Sequence, residues 1–336
     1  MIRPQDLLCP KPEGLYCAPG AFYIDPTRPV ARAVITHGHS DHARAGHGTV
    51  LATAATLDIM GERHGPGFAE SMQAADYGEA VQRDGVEVTL VPAGHVLGSA
   101  QAVVRWKGLT MVVSGDFKRR RDPTCQAFTP VPCDVFISEA TFGLPVFHHP
   151  DAGAEIARLL RSVAQFPERA HLVGAYPLGK SQRIIRLLRE AGWERPIYVH
   201  GALERLNALY ERHGVDLGPL LPATTAAKAA FAGEIVIAPP SALQDRWSRR
   251  FPDPVAAFAS GWMQIRARAR QRGIELPLVI SDHADWDELT STVDEIRPSE
   301  LWITHGREEA LARWAELHDV PARALALVGY EDEEED

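Results

Sequence analysis

Short apolar runs recur along this chain, and six of them share one kind of ending. Residues 33–35, 86–91, 109–113, 135–137, 278–280 and 301–303 have the length and β-branched content of strands. Residues 86–91 also alternate apolar and polar, as a half-buried strand should. Each run stops at titratable side chains. The first ends in Thr36-His37-Gly38-His39-Ser40-Asp41-His42, and the others lead into His95, Asp116, Glu139, His283 and His305. Loops carried by a rigid scaffold are where binding and catalytic groups are placed, so six such endings predict one assembled site. The opening, through Asp25-Pro26, reads as hairpin strands divided by Gly and Pro turns. Residues 53–64 predict a helix that starts from a Thr53 N-cap.

The texture changes between the fourth ending and the fifth. Residues 151–165 predict a helix with apolar positions Ile156, Leu159, Leu160 and Val163. Strand-like runs at 172–176, 197–199, 235–238 and 255–259 follow, with a helix predicted at 183–190. Such α/β alternation predicts parallel pairing. The expected division is a first domain made of residues 1–144 and 276–336, interrupted by an α/β lobe at 145–275. The acidic end, 331–336, reads as a disordered tail. Residues 174–181 formally fit a phosphate loop, but Pro177 is awkward there and the surrounding motifs account for the region better.

Composition narrows the class. The 336 residues are 45% hydrophobic and 24% charged, ordinary for an enzyme with a sizeable core. No apolar run reaches the ~20 residues that span a bilayer. The first six residues lack the apolar stretch of a signal peptide, and cytoplasmic residence is expected. Cys9, Cys17, Cys125 and Cys133 form no C-x-x-C pair and read as free thiols. The net charge of −9 argues against a polyanionic substrate until its distribution is considered. Residues 145–275 hold 18 Lys and Arg against 12 Asp and Glu; the remainder holds 17 against 32. A mildly basic segment inside an acidic chain is suggestive of a nucleic-acid surface. Lys118-Arg119-Arg120-Arg121, just after Asp116, is either a solvated face or a guide for a phosphate backbone. Arg266, Arg268, Arg270 and Arg272 would spread around a helix and read as surface.

The histidine block carries the chemistry. Imidazole and carboxylate are ligands zinc prefers. Alternate residues of an extended segment point the same way, so His37 and His39 can converge on one ion, while Asp41 and His42 serve a second. Gly38 is expected to let the backbone approach the metals without a Cβ in the way.

The block His37-x-His39-x-Asp41-His42 resembles the signature of the metallo-β-lactamase fold, and the other endings are similar to motifs of its β-CASP nuclease subgroup. The resemblance covers nearly the whole chain. It implies an α/β fold, an αββα sandwich with an inserted α/β β-CASP domain. It also implies two divalent ions, zinc above manganese. By that resemblance His37, His39 and His95 hold the first ion. Asp41, His42 and His305 hold the second, and Asp116 bridges. Asp41, Glu139 and His283 are the catalytic candidates, with His283 as general acid oriented by Glu139. Lys118, Arg119, Lys180 and Ser281 are the expected phosphate-binding residues. Small size and the Gly179-Lys180-Ser181-Gln182 segment look like a compact bacterial branch of the β-CASP enzymes, the ligase-associated DNA exonucleases, relatives of the Artemis type. The implied partners are a nucleic acid, DNA before RNA, with a link to a DNA ligase and a helicase and no membrane. His305 is the choice of RNA-cleaving members, which keeps an RNA-processing reading open. A small-molecule metallohydrolase would share the histidine block but has no reason for the inserted lobe or the Glu139–His283 pair.

Overall fold

The computed structural model describes residues 2–224, 227–251, 253–325 and 327. The acidic tail 331–336 lies outside them. The chain divides into two compact units, Met1–His148 with His283–Asp336, and His149–Asp282. Among the described residues the strands make three sheets, of six, seven and six strands.

A short helix α1 (Pro4–Leu7) leads into the meander β1 (Leu8–Lys11), β2 (Gly14–Cys17) and β3 (Phe22–Ile24), paired antiparallel as the opening predicts. β4 (Arg32–Val34) joins β3 in parallel, followed by β5 (His47–Ala52) and β6 (Ala69–Ala74). Helix α2 (Ala54–His64) links the last two and starts where expected, with the Thr53 hydroxyl accepting the Thr56 N–H. Such a cap stabilises a helix by about 1 kcal/mol. The second sheet starts with β7 (Ala80–Arg83), β8 (Val86–Pro92), β9 (Ala100–Trp106), β10 (Leu109–Val113) and β11 (Val135–Ala140).

The period-2 pattern of these strands explains the layering. Val34 and Leu51 of the first sheet share a core with Val88, Val104, Met111, Ile137 and Trp302 of the second. Their neighbours Ala33, Val50 and Ala52 point the other way, onto Met60 of α2. Adjacent strand residues face opposite sides, so both faces of each central strand are buried and the strands read as continuous apolar runs.

The second unit begins with α3 (Ala152–Gln165), capped by Asp151, whose carboxylate accepts the Ala154 N–H. Its sheet contains β12 (His171–Gly174), β13 (Ile197–Val199), β14 (Leu220–Pro222), β15 (Ile235–Ala238), β16 (Val255–Ala259) and β17 (Leu276–Leu278). All pairings are parallel, in the order β14-β13-β15-β12-β16-β17. Helices α4 (Lys180–Glu190), α5 (Gly201–Arg212) and α6 (Arg266–Gln271) complete it. Two boundaries differ from the sequence reading. Helix α4 starts three residues before the predicted 183, because the Gln182 side chain accepts the Gly179 N–H and caps it there. The apolar run 278–280 leaves the sheet after Leu278, because the Val279 N–H is taken by Glu155 instead of a strand. Since β17 pairs with β16, residues 276–282 group with this unit and not with the C-terminal part.

The chain then returns to the first unit. Helix α7 (Trp286–Ile296), strand β18 (Glu300–Gly306), helix α8 (Glu308–Leu317) and β19 (Ala322–Ala324) complete the second sheet in the order β19-β18-β11-β10-β9-β8-β7. Leu289 and Val293 of α7 and Leu311 and Ala315 of α8 pack on Val103, Val112, Phe136 and Leu301, the outer face of that sheet. The first unit is thus an αββα sandwich, and the second an α/β lobe with one parallel sheet. Among the described residues no helix is long and apolar enough to cross a membrane, and the four cysteines form no disulfide.

Candidate metal centre

β8, β10, β11 and β18 run in one direction; the loops that leave β8 and β10 carry His95 and Asp116, and the last residues of β11 and β18 carry Glu139 and His305, to one edge of the sheet. The loop after β4 brings the histidine block to the same place. Carboxylate Asp116 sits at the centre. His37 Nε2 lies 3.3 Å and His95 Nε2 3.7 Å from its Oδ2. His305 Nε2 lies 3.1 Å and His42 Nε2 3.5 Å from its Oδ1. His39 Nδ1 is 2.9 Å from His95 Nε2, and Asp41 Oδ2 is 3.4 Å from His42 Nε2. Ligand atoms of His37, His39, His95 and Asp116 form one tight group; those of His42, Asp116 and His305 form another, sharing Asp116.

The hydrogen bonds behind the rings decide which nitrogens carry lone pairs. The Thr36 hydroxyl donates to Asp25 Oδ2 at 2.5 Å, so its oxygen accepts from His37 Nδ1 at 3.1 Å. His37 Nε2 is then a lone pair aimed at Asp116. His42 Nδ1 donates to Asp25 Oδ2 at 2.9 Å. The Thr304 hydroxyl donates to the Ser138 carbonyl and accepts from His305 Nδ1 at 2.8 Å. Holding the outer ring N–H in this way fixes tautomer and orientation of a metal ligand.

Electrostatics agree. Burial pushes His37 well below its ordinary value, so it is neutral and able to ligate. Burial opposes ionisation of Asp116 as well, yet the neighbouring histidines, His42 first, hold it well below the usual carboxylate range. Burial also acts downward on His42, but Asp41, Asp116 and Asp25 overcome it and raise it to about 10. Burial of His305 is likewise outweighed by Asp116. A field that holds a proton this strongly is one in which a metal cation competes for the same lone pairs. His37 Nε2 and Asp41 Oδ1 are buried with no hydrogen-bond partner. Buried polar atoms are almost always paired, so this donor set fits two divalent ions sharing a carboxylate.

Glu139 and His283 lie beside this centre. His283 Nδ1 donates to Glu139 Oε2 at 3.0 Å, and Glu139 Oε1 accepts the Phe117 N–H at 2.7 Å. Opposite Glu139 the β18 strand bulges, with one extra residue between Ile303 and Gly306, and His305 sits in that bulge. A bulge re-aims a side chain locally. Gly115 has a φ of +55°, and a Cβ there would come within 2.7 Å of the Thr36 hydroxyl. That position therefore needs glycine for the Asp116 loop to lie against the histidine block. At Gly38 the added Cβ would meet Ile59 of α2 at 2.5 Å. Its role is close packing on that helix; the expected approach to the metals is not what the space around it shows.

The residues expected to hold phosphate have other partners. Lys118 is buried, with Nζ donating to Glu288 Oε2 at 2.5 Å and to the His283 carbonyl at 2.8 Å. Arg119 donates to Thr292 and Glu295, and its N–H and that of Arg120 both go to Glu288 Oε1. Lys180 is buried and ion-paired to Asp282 at 2.8 Å, so it reaches into no open phosphate loop. Ser281 is buried and its carbonyl accepts from Arg183. The charges of Lys118, Arg119 and Lys180 each have a carboxylate partner, buried for the two lysines and at the surface for Arg119.

Two contributors were missed. Asp25 accepts the Thr36 N–H, the Thr36 hydroxyl and His42 Nδ1, and so orients two of the ligands. Its only sequence signal was its place before Pro26, at the end of a strand that pairs with the one feeding the histidine block. Glu288 joins α7 to the 118–120 loop; its signal was the N3 position of a capping box opened by Asp285.

Comparison with known proteins fits this geometry. Residues 26–170 match a family model described as the Metallo-beta-lactamase superfamily. Over 318 residues, 90% of the chain, it is 29% identical to a "Probable DNA ligase" of Opitutus terrae, of which it covers 30%. It is 32% identical over 147 residues to the cleavage and polyadenylation specificity factor subunit 3 of Dictyostelium discoideum, covering 43% of this chain and 19% of that protein. An "Endoribonuclease YSH1" of Gibberella zeae is 28% identical over 195 residues, 55% of this chain and 22% of its own length. The chain thus spans less than a third of each of these curated relatives. A solved structure, a protein of unknown function from Enterococcus faecalis, shares the fold with a TM-score of 0.60 at 14% identity, over 89% of this chain and 80% of that one. Residues 26–170 thus resemble the metallo-beta-lactamase superfamily, and the paired sheets and the buried histidine–aspartate cluster, which suits a metal site, agree with that likeness.

Proposed function

We propose that the chain is a metal-dependent nuclease that hydrolyses phosphodiester bonds, acting as a DNA exonuclease beside a DNA ligase. The observation that carries the hydrolase reading is the pair of ligand groups sharing Asp116, with the His283–Glu139 pair alongside. The DNA and ligase part rests on the likeness, over 90% of this chain, to a protein named a probable DNA ligase. The inserted unit, His149–Asp282, is read as a β-CASP-type lobe. In this reading His37, His39 and His95 would hold one ion and Asp41, His42 and His305 the other, with Asp116 shared between the two groups.

Two bound divalent ions would supply Lewis acidity to a phosphoryl oxygen and acidify a water for attack. The chain's own groups do the rest. Thr36, Asp25 and Thr304 keep the ring lone pairs pointing inward. Glu139 accepts the Nδ1 proton of His283 and fixes the ring, and Nε2 is the atom that would hand a proton to the leaving oxygen. Lys118 fixes the His283 carbonyl and hence the position of that ring.

RNA cleavage is the second reading. It is favoured by His305 among the ligand atoms and by likeness to proteins named endoribonucleases. A matched digestion separates the two. Single-stranded DNA and RNA of one sequence, labelled at either end, are incubated with zinc or manganese, with Asp41→Ala as control. A ladder growing from one end of the DNA, absent in the control, is the expected result. Preferential cutting of RNA moves the protein to RNA processing. Inactivity on both overturns the nuclease reading and revives a small-molecule hydrolase.

A further inference from the structure

The parallel sheet of the second unit has two edges, and its arginines behave differently at each. At the edge where the strands begin, arginines are answered by carboxylates: Arg169 pairs with Glu275 and Asp253, and Arg195 with Glu234. At the edge where they end, segment 239–251 leaves β15 and segment 260–274 leaves β16. Together they contain Arg246, Arg249, Arg250, Arg266, Arg268, Arg270 and Arg272 against a single acid, Asp245. Among the described residues Arg246, Arg249, Arg266 and Arg270 are exposed, and their guanidinium groups have no carboxylate partner.

The two segments form one surface. Gln244 Nε2 donates to the Arg272 carbonyl at 3.2 Å. Gly174, at the end of β12 between them, leaves room for Leu243 and Phe258 to close over it; a Cβ there would come within 2.6 Å of Leu243. Helix α6 sorts its arginines by the four-residue spacing. Arg268 stacks 4.1 Å over Trp262 and Arg272 5.3 Å over Phe258, on the inner side. Arg266 and Arg270 share the outer side. Arg250 lies 5.6 Å over the half-buried Trp247. Stacked guanidinium groups lose little freedom when they bind and keep their N–H edges outward.

We infer that this face, built from segments 239–251 and 260–274 at the carboxyl edge of the parallel sheet, binds the backbone of a single-stranded nucleic acid. Carboxyl edges of open parallel sheets are where such folds bind ligands. Exposed cations with the half-buried Trp247 among them suit a flexible polyanion whose bases can stack. The inference rests on the nuclease reading and adds a surface that this reading does not use.

The test is binding of a labelled single-stranded DNA oligonucleotide to the full chain over a salt series, in an Asp41→Ala background so that the strand stays intact. Arg266→Glu with Arg270→Glu is compared with Arg266→Gln with Arg270→Gln, and thermal melting confirms that each is folded. The expected result is a Kd raised by about tenfold or more on reversal and less on neutralisation, with a salt slope shallower by about 1.4, as for two lost phosphate contacts. Unchanged Kd and slope, with the parent binding the strand, overturn this inference alone. Tighter binding of poly-glutamate than of the strand, lost on reversal, assigns the face to an acidic protein partner and also overturns it. A parent that binds no strand, in a chain that cleaves none, overturns this inference together with the nuclease reading.

Discussion

The first unit buries two clusters of charge a few residues apart, and they are built on opposite plans. Around Glu288 every charge has its answer: Lys118, the Arg119 and Arg120 N–H groups and the α7 cap converge on one carboxylate. Around Asp116 the groups that converge are other ligands, and His37 Nε2 and Asp41 Oδ1 have no hydrogen-bond partner. The first arrangement fixes two loops to each other. The second leaves lone pairs pointed at a common centre, which only a cation satisfies. Burial alone does not mark a site; buried groups that lack protons to share do.

The comparison can be broken at the centre first. Asp116→Ala is expected to abolish hydrolysis and to lower bound metal, because both ligand groups lose their shared member. Elemental analysis beside an activity assay checks it, and unchanged metal would remove the bridging role. His283→Ala is expected to slow hydrolysis by about 10²–10⁴-fold, the usual worth of a general acid, while the metal stays. Loss of both together would make His283 a ligand instead.

The answered cluster responds differently. Glu288→Ala strands the buried Lys118 and is expected to cost about 3–5 kcal/mol of stability, read from denaturant unfolding. A loss under about 1 kcal/mol would show that the ammonium finds water or another partner. Asp25→Asn tests the layer between the two plans. It weakens the hold on His42 and Thr36, and metal affinity is expected to fall by about 10–100-fold with the fold intact. A competition titration with a chromogenic chelator reads this directly.

How much of this was legible in the sequence follows from distance along the chain. Thr53 and Asp151 announce their helices because a cap acts on N–H groups three residues away. The six run endings announce the site because each strand carries its residue on a local pattern. The parallel sheet of the second unit was visible in the same way, from alternation. Lys118-Arg119-Arg120-Arg121 misleads because what settles Lys118 and Arg119 is a helix about 170 residues later. Asp25 was hidden because its partners His42 and Thr36 are reached only through strand pairing. The end of β17 was hidden because a side chain from α3 takes the next N–H.

The central claim is that the cluster around Asp116 holds two ions. Its most direct test is metal content of the purified chain after zinc loading and removal of excess, measured beside Asp116→Ala. The account predicts two equivalents in the parent and fewer than two in the variant. One equivalent or none in the folded parent, or two in the variant, would contradict it.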